Sequence, residues 1–239
     1  LINERAKNRA ADKEEILAGI KGADAMLATL TDKVDAEIMD AGLSASSGGP
    51  TLKIIANMAV GFDNIDLEAA KKRNIIVTNT PGVLTDTVAE HTFALMLAIS
   101  HRIVEADKFT RAGLYNAWGP MLLLGSDLFG KTLGVVGSGR IGSRMAYYAV
   151  RGFGMKVLYT DVKQDESFER EFDAKFFNNI DDLLPKCDYV SLHVPFLEST
   201  RHLINENRLK SMKKTAYLIN TSRGPVIDEQ ALARAVKEG

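Results

Sequence analysis

One six-residue stretch constrains this chain more than any other: Gly137-Ser138-Gly139-Arg140-Ile141-Gly142. Glycines are common in turns, and the spacing alone carries little. Here it closes the apolar run Leu133-Gly134-Val135-Val136, which reads as a buried strand, and opens a helical pattern through Met145, Ala146 and Ala149. In that order each glycine has a physical task. Gly137 permits the tight turn, Gly139 lets backbone approach a pyrophosphate, and Gly142 lets the helix sit close on the strand. An anion then rests on the unpaired N–H groups of the helix start. The pattern predicts a dinucleotide-binding strand–turn–helix. A glycine-rich turn without a ligand is the plain alternative.

The next strand, Lys156 to Thr160, ends at Asp161, 19 residues beyond Gly142. A carboxylate there accepts both hydroxyls of an adenosine ribose and repels a 2′-phosphate, so the expected cofactor is NAD rather than NADP. Lys163 stands close enough in sequence to soften that repulsion. An aspartate that merely caps the following turn is the alternative.

Helices and strands alternate along the whole chain. Asp12 with Glu15 forms a capping-box-like start before the apolar face Ile16, Leu17, Ile20. Strands are expected at 23–30, 52–59, 74–79, 132–137, 156–161, 188–194 and 215–220. Helices are expected at 67–73, 181–184, 205–213 and 228–238, and another capped by Thr31 runs through Val34 and Ile38 to Gly42. A long helix is expected from Thr85 to Ala112, dense enough in apolar residues to pack on more than one side. Residues 44–51 read as a Ser/Gly-rich loop, and Asn116 to Gly130 as an irregular, leucine-rich segment. This alternation predicts an α/β protein with parallel sheets covered on both faces. Asn79-Thr80-Pro81-Gly82 punctuates the chain, dividing it into residues 1–79, with three strands, and 80–239, with four.

Composition narrows the function classes. Across 239 residues, 30 Lys+Arg against 31 Asp+Glu leave a formal net charge of −1. No global field therefore draws nucleic acid or an anionic membrane. A single cysteine, Cys187, excludes an intrachain disulfide and a thiolate metal knuckle. No His/Cys/Asp cluster has metal-ligand spacing. The longest clean apolar run, Phe93 to Ile99, is too short to cross a bilayer. The charged start, Leu1 to Arg9, lacks the apolar stretch of a signal peptide, so the expected place is the cytoplasm. Leu in place of Met at position 1, and a final helix stopping at Gly239, read as a piece of a longer protein.

Five motifs occur in one order: Gly61-Phe62-Asp63-Asn64-Ile65-Asp66, the stretch Asn79 to Glu90, the glycine turn, His193-Val194-Pro195, and Leu218-Ile219-Asn220-Thr221-Ser222-Arg223-Gly224. Together they resemble the D-isomer-specific 2-hydroxyacid dehydrogenases, most closely the glyoxylate/hydroxypyruvate reductase branch, over nearly the whole chain. The resemblance implies two doubly wound, Rossmann- or flavodoxin-like domains, both truncated at the chain ends, with the active site between them. Residues 1–79 would be a fragment of the substrate domain, holding a carboxylate with the backbone N–H groups of Val60 and Gly61. Residues 80–239 would be the NAD-binding domain without its C-terminal part. Thr87 would lie near the cofactor, Ser138 to Ile141 on the pyrophosphate, Val194 and Pro195 beside adenine and ribose, and Thr221 and Ser222 toward the nicotinamide. His193 is near the cofactor by motif; a strand-end histidine held by backbone bonds is an equal reading. In the reductase branch, Trp118 to Gly125 resembles a dimer arm, with Leu122 where some relatives carry a second tryptophan. A homodimer is implied, and the departure at Leu122 weakens a strict hydroxypyruvate preference.

Residue chemistry singles out Arg223. Reducing a 2-keto acid builds negative charge on the carbonyl oxygen, and a fixed cation beside it lowers the barrier. A guanidinium never loses its charge, and its planar fork also fits a carboxylate. The alternative is a surface arginine in a loop. By the family's order, the histidine that delivers the proton and the carboxylate that holds it lie downstream of this motif. None of His91, His101, His193 and His202 takes that place, and Asp86 with Glu90 is read as a polar seam rather than an acid pair. The expectation is an NAD-dependent reductase of a small 2-keto acid, glyoxylate or hydroxypyruvate first, in the parent protein, with residues 1–239 catalytically incomplete. The rivals are a phosphoglycerate dehydrogenase, an NAD-sensing corepressor-like binding protein of the same fold, and an inert fragment.

Overall fold

The computed structural model describes residues 10–44 and 51–238. The charged first nine residues, the Ser/Gly-rich stretch 45–50 and Gly239 lie outside them. The chain divides into two compact units, Leu1–Leu84 and Thr85–Gly239. The division falls after Leu84 rather than after Asn79, and the Thr80 N–H donates to Ala59 O at 2.9 Å, which keeps the Pro-Gly punctuation with the first unit.

The first unit runs α1 (Lys13–Gly19), β1 (Ala25–Ala28), α2 (Ala36–Leu43), β2 (Ile54–Asn57), α3 (Leu67–Lys72), β3 (Ile76–Thr78). Its strands form a parallel sheet in the order β1-β2-β3. Asp12 and Glu15 make the reciprocal capping box that the sequence announces. Helix α2 starts later than expected: Asp35, not Thr31, caps it by accepting from the Ile38 N–H. The Thr31 hydroxyl turns to Thr29, and Val34 is held in a bridge to Ile65, so the backbone is extended there. Val34, Ile38, Met39 and Ile55 form the core against one sheet face. Ala25, Leu27 and Ile76 on the other face are exposed, Leu27 by 70%.

The second unit runs α4 (Thr85–Ser100), α5 (Ile103–Arg111), β4 (Thr132–Val136), α6 (Arg140–Phe153), β5 (Lys156–Thr160), α7 (Glu166–Phe172), β6 (Lys175–Phe176), α8 (Ile180–Leu183), β7 (Tyr189–Leu192), α9 (Glu206–Ser211), β8 (Tyr217–Asn220) and α10 (Glu229–Glu238). Its five strands pair in parallel as β6-β5-β4-β7-β8. The sequence reading has four strands here; β6 and the helix before it are additions. Phe168 and Phe172 of α7 pack on each other, and Phe168 and Phe176 pack on Tyr159, an aromatic cluster hidden among charged neighbours. Strand β4 sits centrally and feeds both faces. Leu133 and Val135 join the core under α4 and α6, while Val136 joins Leu183 and Leu184 opposite. The chain steps outward from β4 to β5 and β6, then returns to add β7 and β8 on its other side. That reversal opens a crevice at the C-terminal ends of β4 and β7, where such sheets bind ligands.

The long helix expected over 85–112 is two helices. Arg102 adopts a left-handed backbone, φ 54°, between them. The cause is tertiary: the Ser100 carbonyl accepts the Ser126 N–H at 2.8 Å, and the Ser100 hydroxyl donates to Met96 O. A Cβ on Gly125 would overlap that same Ser100 carbonyl oxygen, so only glycine fits there. Within the described residues α4 buries one stripe, Ala89, Thr92, Phe93, Met96 and Ser100, rather than several sides, and leaves Leu95 and Ile99 exposed.

Candidate cofactor cradle and arginine loop

The β4–α6 turn is built as its glycines require. Gly137 has φ 97°, and a Cβ there would stand 2.8 Å from His193 O. A Cβ on Gly142 would overlap Gly137 O, so helix and turn touch backbone to backbone. A Cβ on Gly139 meets nothing within 4 Å. The two flanking glycines are packed by protein, and the middle one faces open space. Gly139 caps α6 without any side-chain acceptor, so the first turn presents its N–H groups uncapped. This is the cradle a diphosphate needs: close backbone approach, free donors, a positive helix end.

Asp161 follows β5 and closes one side of a cavity of about 490 Å³ lined by Ser138, Gly139 and residues 161–167. One carboxylate oxygen accepts from Ser138 N–H at 2.7 Å and Ser138 O–H at 2.9 Å; the other accepts from Val162 N–H at 2.7 Å. The carboxylate is thus tied to the glycine turn itself and keeps lone pairs for a further donor.

His193 lies just past β7, its backbone N–H on Val136 O at 2.7 Å and its Nε2 2.8 Å from the Ser191 hydroxyl. Burial of the ring pushes the imidazole down to about 4, so it is neutral at pH 7. His193 is thus a backbone-bonded strand end, its carbonyl packed against Gly137. Val194 Cγ1 also lies beside Gly137, at 3.2 Å from its virtual Cβ, and Pro195 is exposed, its carbonyl taken by the Thr200 hydroxyl.

The loop after β8 is organised by Asn220. Its Oδ1 accepts from Ser222 N–H and O–H, and its Nδ2 donates to Arg223 O at 2.9 Å. Arg223 is half-buried and extended, with Nη1 donating to Ser222 O at 3.0 Å. The Thr221 hydroxyl lies 2.7 Å from that of Thr92, on α4. In the first unit, Val60 and Gly61 stand in the loop after β2, with Asn79 Nδ2 on Val60 O and Asn57 Nδ2 on Gly61 O, each at 2.8 Å.

Known proteins agree with this architecture. Residues 93–239 match the model of the D-isomer specific 2-hydroxyacid dehydrogenase, NAD binding domain. The chain is 50% identical over 240 residues to the glyoxylate reductase of Thermofilum pendens, covering 100% of this chain and 68% of that protein. It is 49% identical over 228 residues to the glyoxylate reductase of Korarchaeum cryptofilum, covering 95% and 66%.

The chain belongs to the D-isomer specific 2-hydroxyacid dehydrogenase family.

Among solved structures, it is similar to D-lactate dehydrogenase from Aquifex aeolicus complexed with NAD and lactic acid, with TM-score 0.82 and 38% identity over 93% of this chain and 63% of that one. The chain spans about two thirds of the length of the curated relatives it matches. Its second unit carries the family's NAD-binding domain, and NAD is the cofactor; the open space at Gly139 and the fixed carboxylate of Asp161 fit that group.

Within the second unit the structure joins Gly137, Ser138, Gly139 and Asp161 around one turn, with His193 and Val194 packed on it. Thr87 is exposed on the first turn of α4, and that helix is tied to the arginine loop through Thr92. Sequence reading missed Thr92 and three amides at or just past strand ends, Asn57, Asn79 and Asn220. Asn79 and Asn220 stand where a strand gives way to loop inside a quoted motif, and an amide at such a place is the available signal. Among the described residues no group of His, Cys, Asp and Glu is placed to hold a metal, and no helix is long and apolar enough to cross a membrane.

Proposed function

We propose that the parent protein is an NAD(H)-dependent reductase of a small 2-keto acid, glyoxylate first, with the first unit taking the substrate and the second the cofactor. One observation carries this: the phosphate-type cradle after β4, the carboxylate after β5 and the arginine after β8 all lie at the C-terminal edge of a single parallel sheet. The glyoxylate reductase relatives support the choice of acid and do not favour the phosphoglycerate or corepressor readings.

NADH, when bound, supplies the hydride. The chain's own part is electrostatic and positional. The α6 turn and Ser138 to Ile141 hold the diphosphate, and Asp161 takes the adenosine ribose. Val194 and Pro195 flank the adenine side, and Thr221 and Ser222 present backbone toward the nicotinamide. Thr87, at the start of α4, completes the cofactor contacts. Arg223 stabilises charge growing on the substrate oxygen, and its loop is pre-set by Asn220, so little reorganisation is needed in the transition state. Val60 and Gly61 hold the substrate carboxylate. We assign the proton donor to neither His193, a neutral ring engaged by Ser191, nor the exposed His91, His101 and His202. It belongs with the third of the relatives' length that this chain does not span. The uncovered sheet face at Leu27 and Ile76 fits a first domain that is incomplete in this piece, since parallel sheets are covered on both sides. A homodimer through the exposed apolar surface of α4, α5 and the segment around Trp118, itself 79% exposed, accounts for the apolar excess of that region. The reading places the protein in the cytoplasm.

The test is NADH oxidation by the full-length protein across a panel of keto acids, with Arg223→Lys alongside. Glyoxylate should turn over, and the lysine variant should lose about a hundredfold or more in kcat, as a point charge replaces a bidentate fork. Wild-type kinetics for Arg223→Lys would remove the arginine from the chemistry.

A further inference from the structure

The loop after β2 holds three consecutive carbonyls in fixed directions. Ala59 O accepts from Thr80 N–H at 2.9 Å, Val60 O from Asn79 Nδ2 at 2.8 Å, and Gly61 O from Asn57 Nδ2 at 2.8 Å. The described peptide bonds are all trans, so in each plane the N–H points opposite to its carbonyl. Pulling these carbonyls onto protein donors therefore turns the N–H groups of Val60, Gly61 and Phe62 the other way. Successive N–H groups presented together form an anion-binding concavity. The two side-chain clamps are unambiguous in sense, because a carbonyl only accepts and an amide must offer its nitrogen. Asn57 is also rigid. It is 2% exposed and paired amide-to-amide with Asn64, whose Nδ2 reaches Thr29 O and Asp32 O.

We propose that Asn79 and Asn57 are positioning residues that aim the Gly61 and Phe62 N–H groups, beside the Val60 N–H turned by Thr80, as a nest for the carboxylate of a 2-keto acid. The proposal rests on the reading of the first unit as the substrate-holding one. Neither side chain touches substrate. The carboxylate keeps its charge through the reaction, so the nest grips ground state and transition state alike, and loosening it raises KM with kcat unchanged.

The experiment uses the full-length protein with Asn79→Ala and Asn79→Asp, sites at the half-buried end of the clamp that spare the buried Asn57. Steady-state kinetics with glyoxylate, inhibition by oxamate and a fluorescence titration with NADH are run on each. Asn79→Ala should raise KM and the oxamate Ki together by about tenfold, the loss of one hydrogen bond that orients an anion site. Asn79→Asp should raise both further, since a carboxylate cannot donate and adds like charge. In both, kcat and the NADH Kd should stay within about twofold. Unchanged KM and Ki in Asn79→Asp, or a parallel fall of kcat and NADH affinity, would overturn the assignment. Amide resonances of ¹⁵N-labelled protein separate the two readings. If wild type reduces no keto acid yet oxamate shifts Val60 and Gly61, and Asn79→Ala abolishes the shift, the clamp stands and the reaction falls. If oxamate shifts neither amide in wild type, the clamp falls.

Discussion

The hydroxyls of Thr92 and Thr221 lie 2.7 Å apart across 129 residues of chain. Thr92 Oγ1 also sits 2.6 Å from Val88 O, a pure acceptor, so Thr92 donates there and Thr221 donates to Thr92. The bond pins the arginine loop to α4 at a threonine, Thr92, that is itself fully buried. Thr92→Val keeps the shape and leaves Thr221 without its acceptor. It should cost about 1–2 kcal/mol in urea unfolding and lower kcat/KM several-fold, with Thr92→Ser restoring both. Equal stability of valine and serine variants would show that the contact does nothing.

The glycine turn offers a paired comparison. Gly142→Ala drives a methyl into Gly137 O and should destabilise the second unit by about 2–3 kcal/mol. Gly139→Ala meets no protein atom within 4 Å, so its thermal midpoint should hold while NADH affinity falls at least tenfold. Calorimetry and fluorescence titration separate the two. Retained NADH binding in Gly139→Ala would mean that the space in front of it is not the diphosphate site.

Asp161 should set the choice between cofactors. Held by three donors, it cannot swing away from a 2′-phosphate. NADH should be preferred over NADPH by about a hundredfold in kcat/KM, and Asp161→Ser should narrow that ratio from both sides. Equal or better use of NADPH by wild type would refute the assignment.

His193 should make stability depend on pH. Its pKa falls from the ordinary 6.5 to about 4 in the folded protein because burial disfavours the cation. Between those values the unfolded chain binds the extra proton. The contribution is complete above pH 6.5 and is lost as pH falls toward 4. About 2 kcal/mol is expected, allowing for solvent at the ring edge. Urea unfolding of wild type and His193→Gln across that range should show the slope only in wild type.

Local physics makes much of this protein legible in its sequence. Leu133 to Gly142 reads correctly because strand burial, a positive-φ glycine and the start of a helix are set within a few residues of each other. Asp161 falls beside the turn, as its spacing implies, because one helix and one strand of ordinary length separate the two. The capping box at Asp12 and Glu15 is equally local. The same local reasoning merges α4 and α5, because Ile103 and Phe109 continue the apolar pattern beyond Ile99. It also passes over α7 and β6, whose aromatic residues have their partner, Tyr159, on β5.

Period, punctuation and glycine spacing were therefore enough for the α/β class, for the dinucleotide turn and for the arginine at a strand end, since each depends on backbone geometry over one or two elements. The break at Arg102, the Thr92–Thr221 bond and the amide clamps on Val60 and Gly61 could not be read that way. Each arises where a donor from one segment meets a carbonyl or hydroxyl from another, and which groups meet is known only once the sheets have brought those segments together.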